Sequence, residues 1–454
     1  MAIGDNGTVT TEALPGRRAA SKVVDPTKTA FFWLSCFFVI YCARPEDYIP
    51  GLKYIPMAKI TAILAAWALF NAAGRTPRHM KDLPKEARLL LIMILTLFFG
   101  GFLSPVWKGG AVNKSLDFAK IYIAWVLIYL IITSFDRLRK IMFIQAYSVV
   151  LIGAVALVKG RNVPRLNGVM GGIYGNSNDL AFAIVLVIPL ALAFMLTTKN
   201  PVMKVFWFVG MLVMLLTIFA TASRAGFIDL VISGSVTLYY FAIKGKRLWL
   251  LVATVFLGGL ILLLAGGKLY DRFQALSGHT DDPTEQSALG SYQARMFLMK
   301  RAVEGITEYP LFGVGVGNFV TYSTIWHEVH MTYLQIAVEG GIPVFILYLM
   351  FFCRGFKNLK ILRKAKNLDE DIVLFVGAMY STMIGFVVGA VFAPEAYQLF
   401  PYFAVAFVAT LLATVRETEQ ASASGPAIPP PKRGRHFLEV YADRGTTGAA
   451  SPVR

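Results

Sequence analysis

The chain has 454 residues, of which 56% are hydrophobic and only 16% are charged, and its mean hydropathy is +0.59. Soluble domains carry roughly a quarter charged residues, so this composition excludes an ordinary soluble protein and indicates an integral membrane protein. The formal net charge is +17. Because the basic residues stand in short clusters between apolar runs, we interpret the charge as a signal of membrane orientation and expect no nucleic-acid partner.

Apolar runs along the chain predict an all-α integral membrane protein with about twelve transmembrane helices. About 20 apolar residues at 1.5 Å each are needed to cross a hydrocarbon core of about 30 Å, and backbone groups in lipid must be paired internally. The first two runs are short, which also allows tilted or re-entrant segments there. The predicted spans cover residues 29–43, 56–73, 88–104, 119–134, 140–158, 179–197, 202–222, 225–243, 248–267, 331–353, 371–393 and 396–415.

The predicted topology places both chain ends in the cytoplasm. Clusters of Lys and Arg alternate with the apolar runs in the way expected of cytoplasmic loops. Residues 1–28 are then a cytoplasmic segment without a cleavable signal peptide, residues 29–267 hold nine spans, and residues 331–415 hold three more. The Pro-, Ser- and Gly-rich tail at 416–454 is predicted to be cytoplasmic and disordered.

A long outward-facing segment, residues 268–330, separates the ninth and tenth predicted spans. Connections of this length are usually functional or disordered. Apolar residues recur within it at helical spacing, which predicts an amphipathic helix lying on the outer membrane surface. The residues on that face are Tyr292, Met296, Met299 and Val303.

Several arginines lie on the predicted outward side, against the usual bias of basic residues toward the cytoplasm. An Arg side chain presents a planar fork of donors that fits phosphate oxygens, so several together indicate an anionic ligand such as a diphosphate. The alternative is that each guanidinium reaches lipid headgroups and holds a helix end. For Arg224, in the tight SRAG turn between two apolar runs, we favour the functional interpretation. The candidate ligand-binding residues are Arg161, Arg165, Arg224, Arg295 and Arg301.

Two histidines, His327 and His330, stand directly before the tenth predicted span. An imidazole with an ordinary pKa near 6.5 can act as a general base at neutral pH. The HEVH spacing differs from the HExxH zinc signature and no third ligand is evident, so we expect no metal site.

The GVGVG run at 313–317 lacks the spacing and the preceding strand of a dinucleotide-binding loop. Two interpretations of the run stay open. Its glycines let backbone N–H groups approach a neighbouring group closely, or the run simply redirects the chain.

Taken in order, these segments resemble the O-antigen ligase and polymerase family. Its members typically have an arginine, then a run such as hPLxGxGxGxF, then HNxYLQxxxExGxxG, where h is a hydrophobic residue and x is any residue. This chain has Arg295, EYPLFGVGVGNF and HMTYLQIAVEGGIP in the same order. SRAG at 223–226 and RLNGVMGGIYGNSNDLA at 165–181 resemble two further family segments, so the resemblance covers roughly residues 160–350.

The resemblance implies a GT-C-like glycosyltransferase in the bacterial inner (cytoplasmic) membrane, a multi-pass protein whose active site faces the periplasm or the exterior. Its donor would be a glycan on undecaprenyl diphosphate, its acceptor a hydroxyl of a lipid or glycan, and it would need no cofactor. By position, His330 matches the family's catalytic histidine. The arginines that match those holding the diphosphate are Arg165, Arg224 and Arg295.

Three questions stay open at this level. The family's Asn after the histidine is Met331 here, so His327 is also a candidate base. Polymerisation would use the same donor as ligation, and nothing in the sequence identifies the acceptor. A bicarbonate-type transporter is a third possibility, although the broken helices and repeats usual in transporters are not evident.

Overall fold

The computed structural model describes residues 25–49, 51–161, 166, 174–265, 283–325, 327–365 and 368–424. These ranges contain helices and turns and no strand, which confirms the predicted all-α class. The helices are α1 (Lys28–Ala43), α2 (Met57–Asn71), α3 (Lys85–Gly101), α4 (Lys108–Ile131), α5 (Phe135–Lys159), α6 (Ser177–Thr197), α7 (Pro201–Thr221), α8 (Arg224–Leu238), α9 (Trp249–Ala265), α10 (Pro283–Glu308), α11 (Phe319–Tyr322), α12 (Thr332–Lys364), α13 (Glu370–Gly389) and α14 (Leu399–Ser424).

Seven of the described helices are long and apolar enough to cross a membrane, which supports a multi-pass membrane protein. They are α5 to α8, with α8 continued by a π-helical turn to Lys244, and α12 to α14. Each of the twelve predicted spans coincides with a helix, but α1, α2, α3 and α9 are shorter and α4 carries charged residues in its first half. The number of helices that cross the bilayer stays a prediction.

The helices differ in how far the protein encloses them. In α6 and α14, 78% and 83% of the most apolar stretch is buried by neighbouring helices, against only 33% in α7 and α8. Apolar side chains on α7, such as Val202 and Val205, are 72% and 62% exposed. Exposed apolar side chains are compatible with contact with lipid. Helices α7 and α8 therefore lie at the rim of the bundle, and α6 and α14 lie in its centre.

Helix α12 is broken in its first third, at Gly341, where φ is 77° and ψ is 174°. The glycine-rich turn that follows α10 packs into this break. The backbone hydrogen bonds between them run from Val314 N to the Val338 carbonyl (2.8 Å), from Gly315 N to the Glu339 carbonyl (3.0 Å) and from Ile342 N to the Pro310 carbonyl (2.8 Å). The close backbone approach suggested by the GVGVG run is therefore observed, and its partner is α12.

Glycine is required on both sides of this contact. Gly313 has φ of 65°, and a Cβ atom there would lie 2.5 Å from the Val338 carbonyl oxygen. A Cβ atom at Gly341 would lie 2.5 Å from the Leu311 carbonyl group. The GVGVG turn is thus a structural clamp that fixes the start of α12 relative to α10.

Helix α10 belongs to the long segment predicted between spans nine and ten, and it packs beside α12. Residues 268–282 of that segment lie outside the described ranges. Its buried face includes Leu298 and Ala302. The predicted amphipathic residues lie elsewhere and are exposed: Tyr292 by 52%, Met296 by 49%, Met299 by 37% and Val303 by 51%. This leaves an apolar face of α10 open to the surroundings. Residues 416–424, predicted to belong to the disordered tail, instead continue helix α14, and the tail beyond residue 424 lies outside the described ranges.

Candidate active site

The helices α6 and α8 begin side by side, and the N-terminal cap of α8 is hydrogen-bonded to the first turn of α6. Asn176 caps α6 by accepting hydrogen bonds from the backbone N–H groups of Asn178 and Asp179. Ser223 caps α8 by accepting from Gly226 N (3.1 Å), and its hydroxyl donates to Asn178 Oδ1 (2.7 Å). The GNSNDLA and SRAG segments, which are distant in sequence, therefore form one corner of the bundle, called the site end below.

The SRAG sequence is explained by the geometry of this corner. Ala222 ends α7 in the left-handed region, with φ of 46°, so the chain reverses at once into α8. Gly226 faces α6 so closely that a Cβ atom there would lie 2.5 Å from Ala181 Cβ. Arg224 is consequently the first residue of α8, half-buried at the site end.

The first turn of α12 is held at the same end by the chain segment that joins α13 to α14. Three side chains of the TYLQ sequence make hydrogen bonds to this segment or to the last turn of α13. Thr332 Oγ1 donates to the Ala393 carbonyl (2.6 Å) and accepts from Glu395 N (2.9 Å), Tyr333 donates to the Val387 carbonyl (2.8 Å), and Gln335 Oε1 accepts from Ala396 N (3.3 Å). The motif residues behind His330 therefore position that histidine.

His330 lies half-buried just before α12. Burial of the imidazole, the positive charge of Arg295 and the proximity of His327, in that order, lower the pKa of His330 to about 4. The imidazole is therefore neutral at neutral pH and able to accept a proton.

Arg295 is influenced by the charge of Arg224 and in turn influences His330. Burial and the positive charge of Arg224 lower the pKa of Arg295. Arg295 follows the same face of α10 as the buried Leu298 and Ala302, at i+3 and i+7. The charge of Arg224 on α8 thus acts on Arg295 on α10, and the charge of Arg295 acts on His330 before α12.

The other predicted residues are placed differently. Arg301 donates to Glu304 (2.6 Å) and to the Tyr322 carbonyl (3.2 Å), and its guanidinium lies 4.6 Å from the centroid of the Tyr322 ring. These contacts hold α10 against α11. His327 is exposed, and its carbonyl accepts from the Ser323 hydroxyl (3.4 Å).

The two arginines predicted near the end of α5 are not both described. Arg161 is exposed just after that helix, whereas Arg165 lies outside the described residues. Within the described part of the chain, no group of three or more His, Cys, Asp or Glu side chains is arranged to hold a metal ion.

Two carboxyl groups at the site end, those of Glu395 and Asp179, were not among the site residues predicted from the sequence. Glu395 is only 5% exposed and lines a small cavity together with Asp179 and Phe400. Burial, reinforced by the negative charges of Asp179 and Glu328, raises the pKa of Glu395 well above its usual range. The raised pKa favours the protonated form, and a protonated carboxyl group beside the start of α12 can donate a hydrogen bond. Its sequence signal was its position as the sole charged residue between the last two predicted spans.

Comparison with known proteins found one relative and one family model that match parts of this chain. Teichuronic acid biosynthesis protein TuaE of Bacillus subtilis (strain 168) is 23% identical over 371 residues, which cover 73% of this chain and 72% of the relative. Residues 209–349 match the family model described as O-antigen ligase, and this range contains Arg224, Arg295 and His330. The resemblance seen in the motifs is confirmed by this match, which covers the segment that holds these three residues.

Proposed function

We propose that this protein is a membrane glycosyltransferase that transfers a glycan from undecaprenyl diphosphate to an acceptor hydroxyl. The observation that carries the proposal is a neutral imidazole, His330, that is influenced by the charge of Arg295 on α10, which is itself influenced by the charge of Arg224 on α8. Such an arrangement suits a reaction that removes a proton from one group and leaves negative charge on another. The family match and a relative named for teichuronic acid biosynthesis support a biosynthetic role.

The arginines would hold the donor's diphosphate. A guanidinium fork can bond two phosphate oxygens at once and can meet the charge that develops as the leaving group departs. The adjacent N-termini of α6 and α8 add partial positive charge at the same end. We assign this role to Arg224 and Arg295, with Arg165 as a third candidate.

The remaining candidates have weaker support as diphosphate ligands. The guanidinium of Arg301 is already engaged by Glu304 and Tyr322. Arg161 and His327 are exposed, which suits contact with outer parts of the glycan or acceptor better than with the diphosphate.

His330 would serve as the general base. Its imidazole takes the proton of the acceptor hydroxyl while the acceptor oxygen bonds to the anomeric carbon. The bond between that carbon and the diphosphate oxygen breaks, undecaprenyl diphosphate leaves with the bonding electrons, and the sugar is inverted. Because the bound diphosphate offsets the positive charge of Arg295, donor binding should raise the pKa of His330 and make it a stronger base.

The exposed apolar face of α10 supports a position of the site near the surface of the membrane. A helix with such a face lies in the boundary between headgroups and acyl chains. Arg295, on the same helix, would then stand where a polyprenyl diphosphate carries its charge. In the cell this corresponds to the periplasmic or external face of the bacterial cytoplasmic membrane.

Ligation and polymerisation share this donor and site and differ only in the acceptor. The test is to incubate the protein in lipid nanodiscs with an undecaprenyl diphosphate-linked glycan and candidate acceptors, and to size the products. One addition per acceptor identifies a ligase, and a ladder identifies a polymerase. No transfer to any acceptor, combined with uptake of bicarbonate by vesicles containing the protein, would contradict the proposal and favour a transporter.

A further inference from the structure

A second polar cavity lies at the opposite end of the bundle, and nothing in the proposed transfer reaction uses it. Its volume is about 420 Å³, and it is formed by the last turns of α8 and α12 and the first turn of α13. We call it the basic pocket. Its polar lining consists of Tyr240, Lys244, Lys246, Arg247, Arg363 and Glu370.

The basic pocket carries an excess of positive charge. Arg247 pairs with Glu370 (3.0 Å), whose side chain is 82% exposed. Among the described residues, no carboxylate pairs with Lys244, Lys246 or Arg363. Three cations around one cavity without a counter-charge favour an anionic ligand.

Aromatic rings hold two of these cations in place. Arg363 lies over the Tyr240 ring, 4.9 Å from its centroid, and over the Tyr380 ring at 5.4 Å. Lys244 lies 5.3 Å from the centroid of Tyr239. Their positions are therefore defined before any ligand arrives.

The backbone of this pocket departs from regular helix. Residues Tyr239–Lys244 form a π-helical turn, and Lys246 has φ of 54°, in the left-handed region. A Cβ atom at Gly245 would lie 2.3 Å from the Phe241 carbonyl oxygen, so the turn tolerates only glycine there. Such local strain is concentrated at functional sites, and here it directs Lys244, Lys246 and Arg247 into one cavity.

The basic pocket lies at the level of lipid headgroups. The helix that links it to the site end, Arg224–Lys244, has 21 residues and is thus about 30 Å long, the thickness of the hydrocarbon core. Tyr239 and Trp249, beside the pocket, are 45% and 55% exposed, as is typical of aromatic residues at a membrane–water boundary.

We propose that the basic pocket binds the phosphate-bearing headgroup of an anionic phospholipid. Arg363 supplies a planar fork for phosphate oxygens, and Lys244 and Lys246 supply point charges. The acyl chains would run along the exposed apolar side chains of α9, such as Val252 and Val255, which are 72% and 76% exposed. A free phosphate would not use this apolar surface.

The test is native mass spectrometry of the full-length protein released from nanodiscs of phosphatidylcholine with phosphatidylglycerol. The pocket variant is the double substitution Lys244→Gln and Lys246→Gln. Its matched control is Lys357→Gln with Lys360→Gln, which removes two exposed lysines on α12 that do not line the pocket. We expect retained phosphatidylglycerol to fall about thirtyfold in the pocket variant and to change little in the control.

Arg363→Gln is a second pocket variant, for which we expect retained phosphatidylglycerol to fall about fivefold. This variant tests the proposal if the double variant does not fold. Equal losses in the pocket and control variants would overturn the proposal, because the attraction would then be a general surface effect. Displacement of phosphatidylglycerol by millimolar inorganic phosphate would also overturn it in favour of a soluble anion.

Discussion

His330 is the residue whose surroundings most directly define what the site can do. Its pKa is lowered to about 4, below the ordinary 6.5, by burial and by Arg295 and His327. A base acts only when it is unprotonated, so a lowered pKa keeps His330 competent at mildly acidic pH. The effect of the Arg295 charge on His330 can therefore be detected in the pH dependence of activity.

The pH dependence of transfer tests this arrangement. For the donor-free enzyme, kcat/KM should hold as pH falls below 6.5 and be lost only as pH approaches about 4, where His330 becomes protonated. In Arg295→Gln the neighbouring positive charge is gone, the pKa of His330 rises toward 6.5, and the loss should begin at higher pH. An unchanged profile in this variant would show that Arg295 does not act on His330.

Arg224 tests whether geometry or charge matters at the start of α8. Arg224→Lys keeps the charge but loses the planar fork, so we expect the donor KM to rise about tenfold or more. The control is Arg161→Lys, which makes the same change at an exposed position. A wild-type donor KM for Arg224→Lys would argue against bidentate binding of the diphosphate.

The sequence was informative about these residues because charges are rare in a lipid-like chain. Arg224, Arg295 and His330 stood out against apolar surroundings. Glu395 and Asp179 did not, because a single carboxylate near a helix end is common. Their shared cavity depends on the packing of α6 against the segment after α13, which no local pattern encodes.

At the scale of elements, the clamp between the glycine-rich turn and α12 determines where His330 lies. Its backbone hydrogen bonds require the left-handed Gly313 and Gly341 to approach neighbouring carbonyl groups. The sequence predicted a turn and a span here. It did not predict the break at Gly341, because a GGIP sequence is compatible with either a kinked or an interrupted helix.

Substitution of Gly313 by Ala tests the clamp. The new Cβ atom would meet backbone atoms at 2.5 Å in a conformation with φ of 65°, so we expect a loss of several degrees in the thermal unfolding midpoint and reduced transfer. Gly234→Ala in α8 is the control, because a Cβ atom there meets nothing within 4 Å. It should leave the midpoint unchanged or raise it. Equal stability of both variants would show that the turn does not need its backbone geometry.

The predicted elements agree with the observed helices where apolar runs are continuous. The differences arise at helix ends. Helix α12 runs to Lys364 although its predicted span ends at residue 353, because the helix continues beyond the apolar run through basic residues. Helix α10 begins at Pro283, ahead of Tyr292, the first residue of the predicted amphipathic face, since its first turns are polar. Hydropathy detects the part of a helix in lipid and not its extension into water.

At the scale of the whole molecule, the bundle has two chemically different ends. Arg224, Arg295 and His330 lie at the site end, and the basic pocket lies about 30 Å away at the other. Both are bounded by helices that run the full length of the bundle. The predicted orientation places the site end on the outer side of the cytoplasmic membrane and the basic pocket on the cytoplasmic side.

Cysteine labelling tests the orientation. In a variant with Cys36, Cys42 and Cys353 replaced by Ser, single cysteines are introduced at Thr307 on α10 and at Lys360 on α12, both exposed. A membrane-impermeant maleimide applied to cells with a permeabilised outer envelope should label the cysteine at 307 and not the one at 360. Lysed cells should show both labelled. The reverse pattern in unlysed cells would invert the predicted topology.

The most direct test of the proposed mechanism compares two histidines that are three residues apart. In purified protein supplied with an undecaprenyl diphosphate-linked glycan and an acceptor, His330→Ala should lower the single-turnover transfer rate by about 10²–10⁴. His327→Ala should keep most of the wild-type rate, because that side chain is exposed. Full activity in His330→Ala, or a loss confined to His327→Ala, would contradict the assignment of His330 as the base.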